Sequence, residues 1–306
     1  MENICEDFMN TIGNTPLMRM TDKKSGASVL AKLEFLNPTG SGKDRVAKAI
    51  IENAEKDGKL KKGGTIIEST SGSIGLSLAA TAAAKGYQLI ITMPEGVNPC
   101  RVNAIKAYGA RVILTKLSEG MKGAAEKAKQ LSAEIPDSFM PNQFENPSNP
   151  EVHKLSTAPE IWKDTGGKAD VFIAGVGTGG TLTGVGEYLK EKNPKIKIIA
   201  VEPESSPLLS EGKTGHNIIQ GMGAGFVPKV LNTHIYDRVI TVSNKDAFST
   251  AKWAASQCGM LIGASSGAAL HAAFKVARHP KNRNKSIVVI LPDSGDRLFS
   301  YENIIK

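Results

Sequence analysis

Cysteine is scarce in this chain: Cys5, Cys100 and Cys258 are the only three in 306 residues. Their number is odd and no Cys-x-x-Cys pair occurs, which argues against a disulfide framework and against a zinc site, and leaves reduced thiols as the expectation. The five histidines form no His-x-x-x-His pair, so the pattern offers no structural metal. No run of about 18 apolar residues is present to cross a membrane. Residues 1–17 lack the basic stretch followed by an apolar core that a secretory signal needs, so a cytoplasmic location without a membrane partner is expected. Aromatic residues make up only 5% of the chain, whereas Gly and Ala are plentiful. That balance suits helices packed closely on a sheet, with ligand loops lined by backbone.

Charge has a positive excess, 38 Lys and Arg against 30 Asp and Glu, for a formal +8. The lysines are spread through helical segments and form neither a basic arm nor a face interleaved with aromatics, which reads as a solvated surface and not as a nucleic-acid partner. The excess favours anionic small ligands. The length suffices for one large or two ordinary domains with a substantial core.

Residues 11–17 form a turn-rich opening segment, and an apolar strand, 29–33, follows. It runs into Asn37-Pro-Thr-Gly-Ser-Gly42, and Lys43 stands where a helical pattern begins, with Val46, Ala47, Ala49, Ile50 and Ala54 at helical spacing up to a stop at Gly58. The spacing next predicts strand 65–68, a Ser69-Thr-Ser-Gly-Ser-Ile-Gly75 loop, helix 76–85, strand 89–93, helix 98–108, strand 111–114 and helix 119–131. Residues 141–150, with three prolines and three asparagines, are the most irregular stretch and mark a domain boundary. A second series follows: helix 151–165, strand 170–174, loop Gly175-Val-Gly-Thr-Gly-Gly180, helix 181–190, strand 196–201, a long loop 202–228, strand 238–242, helix 245–258, loop 259–265, helix 266–277 and strand 287–291. This alternation is that of parallel α/β units. Each half places a Gly/Ser/Thr loop between a strand and a helix, and helix N-termini of this kind are ready anion sites, so a ligand with two anionic ends is expected.

Three loops and one lysine carry candidate chemistry. Residues 175–181 have glycines at 175, 177, 179 and 180, a spacing that meets the dinucleotide fingerprint poorly and lacks the Gly-Lys-Ser/Thr ending of a Walker loop. A single phosphate held by backbone N–H groups and the Thr178 and Thr181 hydroxyls fits better, although the glycines could also serve only tight packing. Residues 68–75 concentrate hydroxyls that suit an α-carboxylate or could simply cap a helix. Gly263-Ala-Ser-Ser-Gly267 could face a ring nitrogen or be another cap. Lys43, held between a strand and a helix with glycines beside it, is a candidate nucleophilic amine for a bound carbonyl, though most lysines at helix starts are solvated surface charges.

Taken together these motifs resemble the cysteine synthase (O-acetylserine sulfhydrylase) branch of the fold-type II enzymes that use pyridoxal 5'-phosphate. The resemblance runs nearly end to end: Ile12-Gly-Asn-Thr-Pro-Leu17, Asn37-Pro with Ser41-Gly-Lys-Asp-Arg45, Glu68-Ser-Thr-Ser-Gly72, Glu119-Gly-Met-Lys-Gly123 and Gln143-Phe-Glu-Asn-Pro147 in the first half. Gly175 to Thr181, Ile219-Gln-Gly-Met-Gly-Ala-Gly-Phe226, Gly263-Ala-Ser-Ser-Gly-Ala268 and Pro292-Asp-Ser-Gly-Asp-Arg297 continue it. It implies two three-layer α/β domains with mostly parallel sheets, like the tryptophan synthase β chain: residues 1–12 with 36–147, and residues 13–35 with 148–306. It also implies Lys43 as the Schiff-base lysine and the base for the substrate α-proton, and Gly177, Thr178, Gly179, Gly180 and Thr181 as the phosphate loop. Ser265 would face the pyridine nitrogen, where a hydroxyl in place of a carboxylate leaves the ring a weaker electron sink. Thr70, Ser71, Gly72 and Gln143 would take the substrate carboxylate, with Met121, Gly223 and Phe226 also at the substrate.

The implied reaction is β-replacement through an aminoacrylate, O-acetyl-L-serine and sulfide giving L-cysteine and acetate. A rival starts from L-cysteine, releases hydrogen sulfide and forms serine, lanthionine or another thioether. A third reading is a weakly active homologue that binds the C-terminal tail of a serine acetyltransferase. The resemblance further implies a homodimer and no resident metal. One departure stands out: the family usually has Asn and Thr where this chain has Ser73 and Ile74, at the cofactor and substrate respectively. The shorter Ser73 and the apolar Ile74 imply a site with altered substrate preference, a weakened catalyst, or neutral drift. Gly42, where the family often has a small apolar residue, is a minor difference.

Overall fold

A computed structural model describes residues 4–20 and 25–295. Asp296 and Arg297, the end of the Pro-Asp-Ser-Gly-Asp-Arg motif, lie outside the described residues. The chain divides into two compact units, residues 1–12 with 37–148 and residues 13–36 with 149–306.

The second unit opens with β1 (Leu17–Met20) and β2 (Ser28–Leu33), an antiparallel pair in the register Leu17↔Lys32. The segment before β1 is pinned by a buried charge. Lys32 is fully enclosed, pairs with Glu160 at 2.7 Å and donates to the Thr15 carbonyl, while Glu160 accepts the Asn14 N–H at 3.0 Å. A buried ammonium is tolerable only when paired and hydrogen-bonded in this way.

The chain then crosses into the first unit. Here α1 (Lys43–Lys56), β3 (Thr65–Ser69), α2 (Ser73–Lys85), β4 (Gln88–Pro94), α3 (Pro99–Ala107), β5 (Arg111–Thr115) and α4 (Gly120–Glu134) build a three-stranded parallel sheet in the order β3-β4-β5. Ile67 of β3 pairs with Ile90 of β4, and both pack on Ala128 and Leu131 of α4. The Ala-rich sequence of α2 brings that helix close to α1, since small side chains keep the helix axes near one another.

The remaining chain forms α5 (Ser148–Val152), a π-helical turn at His153–Thr157, α6 (Ala158–Asp164), β6 (Val171–Gly175), α7 (Gly180–Lys192), β7 (Lys197–Pro203), α8 (Leu208–Glu211), β8 (Arg238–Val242), α9 (Asn244–Cys258), α10 (Ala264–Ala277) and β9 (Ser286–Leu291). The second unit's sheet has the order β1-β2-β9-β6-β7-β8 and is parallel except at β1. Side chains alternate between its two faces with the period of two that a strand imposes. Val171, Ile173, Ile287, Val289 and Leu291 join α9 and α10 on one face, and Phe172, Ala174, Val288 and Ile290 join α6 and α7 on the other. Both faces are covered, which is why these strands read as unbroken apolar runs.

Several elements differ from the sequence expectation. The segment 151–165, expected as one helix, is α5, a π turn and α6. Gly184 explains the interruption: a Cβ there would meet Lys154 N at 2.8 Å and overlap the Pro150 carbonyl, so α7 crosses this segment at backbone contact. Leu17-Met-Arg-Met20 is a strand that was not expected, the turn-rich segment reaching only as far as Leu17; an edge strand needs no alternating pattern to pair with β2. The long loop 202–228 contains the one-turn helix α8. Of the helices that begin earlier than expected, three matter here: Ser73, Gly180 and Ser265 lie in the first turns of α2, α7 and α10, not in the preceding loops.

Candidate active site

In the first unit, the approach to Lys43 is a folded loop. Gly40, in the left-handed region at φ 76°, donates to the Asn37 carbonyl at 2.8 Å. The Asp44 carboxylate accepts the Thr39 N–H at 2.8 Å and the Thr39 hydroxyl, and that hydroxyl lies 3.2 Å from Ser77 Oγ of α2. Asp44 therefore ties the first turn of α1 back onto its own loop and onto a second helix, fixing the backbone from which Lys43 projects. Lys43 is half-buried, yet its amine is enclosed enough that lost hydration lowers its pKa from 10.5 to about 8. At pH 7 the neutral fraction rises from about one in three thousand to about one in ten. A surface lysine would show no such change, so the bland reading of Lys43 does not describe this amine.

The hydroxyl loop follows β3. Thr70 is buried, donates its N–H to the Thr92 carbonyl at 3.0 Å and accepts the Gly72 N–H on Oγ1 at 2.9 Å. Arg101 of α3 donates to the Ser71 carbonyl. Ser73 opens α2, and Ile74 is 1% exposed, packed into the interior and without polar reach. Gln143 is buried just after Asn142, whose positive φ of 49° makes a tight turn. That turn is held by Glu68 of β3, whose Oε2 accepts the Asn142 N–H at 3.0 Å. Met121 of α4 is exposed.

In the second unit, the glycine loop follows β6. A Cβ on Gly177 would overlap the Gly221 carbonyl oxygen, so backbone leaves no room for a larger residue there, and one on Gly180 would overlap the Asn149 side chain, which would have to move. The two threonine hydroxyls are held from α5 and the π turn: Asn149 Nδ2 donates to Thr178 Oγ1 at 2.9 Å, and His153 Nε2 lies 3.1 Å from Thr181 Oγ1. Thr178 Oγ1 also accepts the Gly180 N–H at 3.3 Å. Gly223, at φ 68°, donates to the Val176 carbonyl at 2.9 Å, and Phe226 is 51% exposed. Ser265 is buried in the first turn of α10 and donates to Asp293 Oδ1 at 2.9 Å.

A shared feature separates these loops from ordinary helix starts. The helices α1, α2, α7 and α10 are preceded by Gly42, Gly72, Gly179 and Gly263, and none has a side-chain cap. By contrast, α3 is capped by Asn98 and α9 by Ser243, each accepting a first-turn N–H. The glycines themselves bring no capping side chain, although Ser41 Oγ accepts the Lys43 N–H at 3.2 Å and Thr178 Oγ1 the Gly180 N–H at 3.3 Å; the remaining first-turn N–H groups of α7 and α2 are suited to anions. The loop 177–181 contains no carboxylate, only backbone N–H groups and two hydroxyls, which is a donor set that fits a phosphate.

A model of the pyridoxal-phosphate dependent enzymes matches residues 8–293. The chain belongs to that family. Within it the chain falls in the cysteine synthase branch. It is 49% identical over 298 residues to the cysteine synthase of Staphylococcus aureus (strain Mu50), covering 96% of each chain. The crystal structure of cysteine synthase from Entamoeba histolytica matches with a TM-score of 0.95 at 42% identity, over 98% of this chain and 91% of that one. A hydrogen sulfide-producing enzyme of Fusobacterium nucleatum matches with a TM-score of 0.92, also at 42% identity, over 96% of this chain and 99% of that one. Pyridoxal phosphate is the cofactor of this family, and the glycine cradle and its hydroxyls fit the phosphate end of such a molecule.

Sequence reading missed the supports of the site, Glu68, Asn149, His153 and Asp293, as residues with roles. None carried a signal of its own, because the fold is needed to bring these distant segments together. Glu68 makes a testable case. Burial pushes its carboxyl up to about 8, opposed by the Asn142 N–H. Between pH 4.5 and 8 the native chain thus holds a proton that the unfolded chain has lost, so stability falls as pH rises through that window. Glu68→Gln keeps the acceptor for Asn142 and removes the titration. In urea denaturation, the cofactor-free variant is expected to gain on the parent between pH 5 and pH 8 by a few kcal/mol, on the order of what a shift of that size carries. Parallel pH profiles would contradict it.

Proposed function

We propose that the protein makes L-cysteine by β-replacement, exchanging the acetate of O-acetyl-L-serine for sulfide. The observation that carries this reading is the enclosed Lys43 amine, with its pKa near 8, in a chain that aligns almost end to end with cysteine synthases. Bound pyridoxal phosphate supplies an electron-withdrawing ring that acidifies the α-carbon of an attached amino acid. The chain's own residues do the rest. Lys43 would hold the cofactor through Nζ, and the same Nζ would take the substrate's α-proton; a neutral amine is needed for both tasks, and desolvation raises its share. Gly177 to Thr181 hold the phosphate, and Ser265 faces the ring nitrogen. Thr70, Ser71, Gly72 and Gln143 take the substrate carboxylate, with Ile74, Met121, Gly223 and Phe226 around the substrate and Ser73 at the cofactor. The working form on this reading is a cytoplasmic homodimer, and a serine acetyltransferase tail is a candidate partner.

A second reading, L-cysteine as donor with release of hydrogen sulfide, is favoured by one feature. Ser73 puts a shorter hydroxyl in place of an amide and Ile74 removes a polar side chain from this loop, and a structurally similar protein is a hydrogen sulfide-producing enzyme. The test is to give the cofactor-loaded protein O-acetylserine plus sulfide, or cysteine alone, and to identify products. Faster cysteine formation in the first mixture supports the synthase; faster hydrogen sulfide release in the second overturns it. Slow turnover in both, with tight binding of an acetyltransferase tail peptide, would point to a binding role instead.

Ser73→Asn restores a longer amide at the first turn of α2. One added hydrogen bond is worth about 1 kcal/mol, so the ratio of kcat/KM for O-acetylserine to that for cysteine is expected to rise roughly fivefold. An unchanged ratio would show that Ser73 does not set donor preference.

A further inference from the structure

Beside β3, the chain at 139–146 begins as one more strand and then stops. Phe139 lies opposite Ile66 in a parallel bridge, donating its N–H to the Thr65 carbonyl at 2.9 Å and accepting the Ile67 N–H at 2.9 Å. The same register sets residue 141 opposite Glu68, where a parallel ladder needs its next N–H. Residue 141 is proline and has none, and its carbonyl accepts Asn146 Nδ2–H at 3.0 Å. The Glu68 side chain makes the link that the backbone cannot. It is buried, and its Oε2 accepts the N–H one residue further on, that of Asn142, at 3.0 Å. Beyond that bond the chain turns. Asn142 has a φ of 49°, and its carbonyl accepts the N–H groups of Glu145 at 2.9 Å and Asn146 at 3.0 Å, so Gln143 lies within the turn.

Glu68 therefore stands between two stretches. Along β3 it is two residues before Thr70, whose Oγ1 holds the Gly72 N–H at 2.9 Å; across the broken ladder it holds the turn that carries Gln143. Resting on the reading that Thr70 to Gly72 and Gln143 take the substrate carboxylate, we propose that Glu68 is a positioning residue for that carboxylate: through Asn142 it sets the Gln143 turn at a fixed distance from the hydroxyl loop. Burial suits Glu68 to the task. Its carboxyl, pushed up to about 8 by lost hydration, is mainly neutral at pH 7, so it accepts the Asn142 N–H without placing a full negative charge near an anionic substrate. Glutamine reproduces such an acceptor. Aspartate, one methylene shorter, falls short of the Asn142 N–H, and leucine fills the space with no acceptor at all.

The experiment is steady-state kinetics of the cofactor-loaded variants with O-acetylserine and sulfide, with pyridoxal phosphate retention measured beside it. Glu68→Leu is expected to raise KM for O-acetylserine about fivefold while kcat and cofactor retention stay within about twofold, the pattern of lost ground-state binding. Glu68→Asp is expected to move KM the same way, and it decides the matter should the leucine variant not fold. Glu68→Gln is expected to keep the parent's KM. The comparison holds equally with L-cysteine as donor, because both donors carry the α-carboxylate. Gln143→Ala is the reference, and its KM is expected to rise. With that rise seen, an unchanged KM in the leucine and aspartate variants would overturn the inference alone. So would a fall in kcat and cofactor retention as large as the change in KM, or a glutamine variant no better than leucine, since either would leave Glu68 a purely structural residue. An unchanged KM in Gln143→Ala would instead overturn the placement of Gln143, and the inference with it.

Discussion

Lys43→Ala is expected to lower turnover with O-acetylserine and sulfide by at least about 10³-fold, the scale of losing a positioned acid–base group together with its covalent role, without loss of folded protein. The two halves of that outcome have separate causes. Lys43 starts α1, and the loop before it is fixed by Asp44, Thr39 and Ser77 rather than by the lysine itself. Alanine is a better helix former and removes an amine whose charged form burial disfavours, so thermal stability of the cofactor-free protein should stay level or rise below pH 8. Lys43→Arg should be as inactive as the alanine variant, because guanidinium stays charged in proteins and cannot serve as the neutral amine. Rates within tenfold of the parent for either variant would remove Lys43 from the chemistry.

Gly177→Ala is expected to cost at least about 2 kcal/mol of stability, in line with overpacking at a rigid contact, and to weaken pyridoxal phosphate binding by about 10²-fold or more. The reason is backbone meeting backbone. A methyl on Gly177 overlaps the Gly221 carbonyl oxygen, which no rotamer change can relieve, so either the phosphate loop or the 219–223 segment must move. Gly72→Ala is the contrast: its φ of −102° is ordinary and the nearest atom to a Cβ is Thr70 Oγ1 at 3.6 Å, so cofactor retention should be unchanged. Equilibrium dialysis of the cofactor with the two variants separates the cases, and equal retention would take residues 177–181 out of the phosphate role.

Much of this was legible from residues alone. Unbroken apolar runs such as Ile287 to Leu291 announce strands covered on both faces, and the Gly/Ser/Thr loops stand out because they punctuate those runs. What periodicity could not reveal is how close two backbones pass. The π turn at His153–Thr157 follows from Gly184 of α7 meeting Pro150 and Lys154, a contact between segments thirty residues apart. The same limit hid the supports. Thr178 and Thr181 read as hydroxyls for a phosphate, but their anchors, Asn149 and His153, precede them by nearly a whole α/β unit. Ser265 read as a loop residue because small residues blur a helix start; its place inside α10, against Asp293, emerges only in the folded chain.

The central claim is that one particular lysine carries the cofactor, and it can be tested without any substrate. Borohydride treatment of the cofactor-loaded protein fixes pyridoxal phosphate covalently to the amine that holds it, and peptide mass mapping then locates the label. The label is predicted on Lys43 alone; a label on any other lysine, or none, would contradict the account.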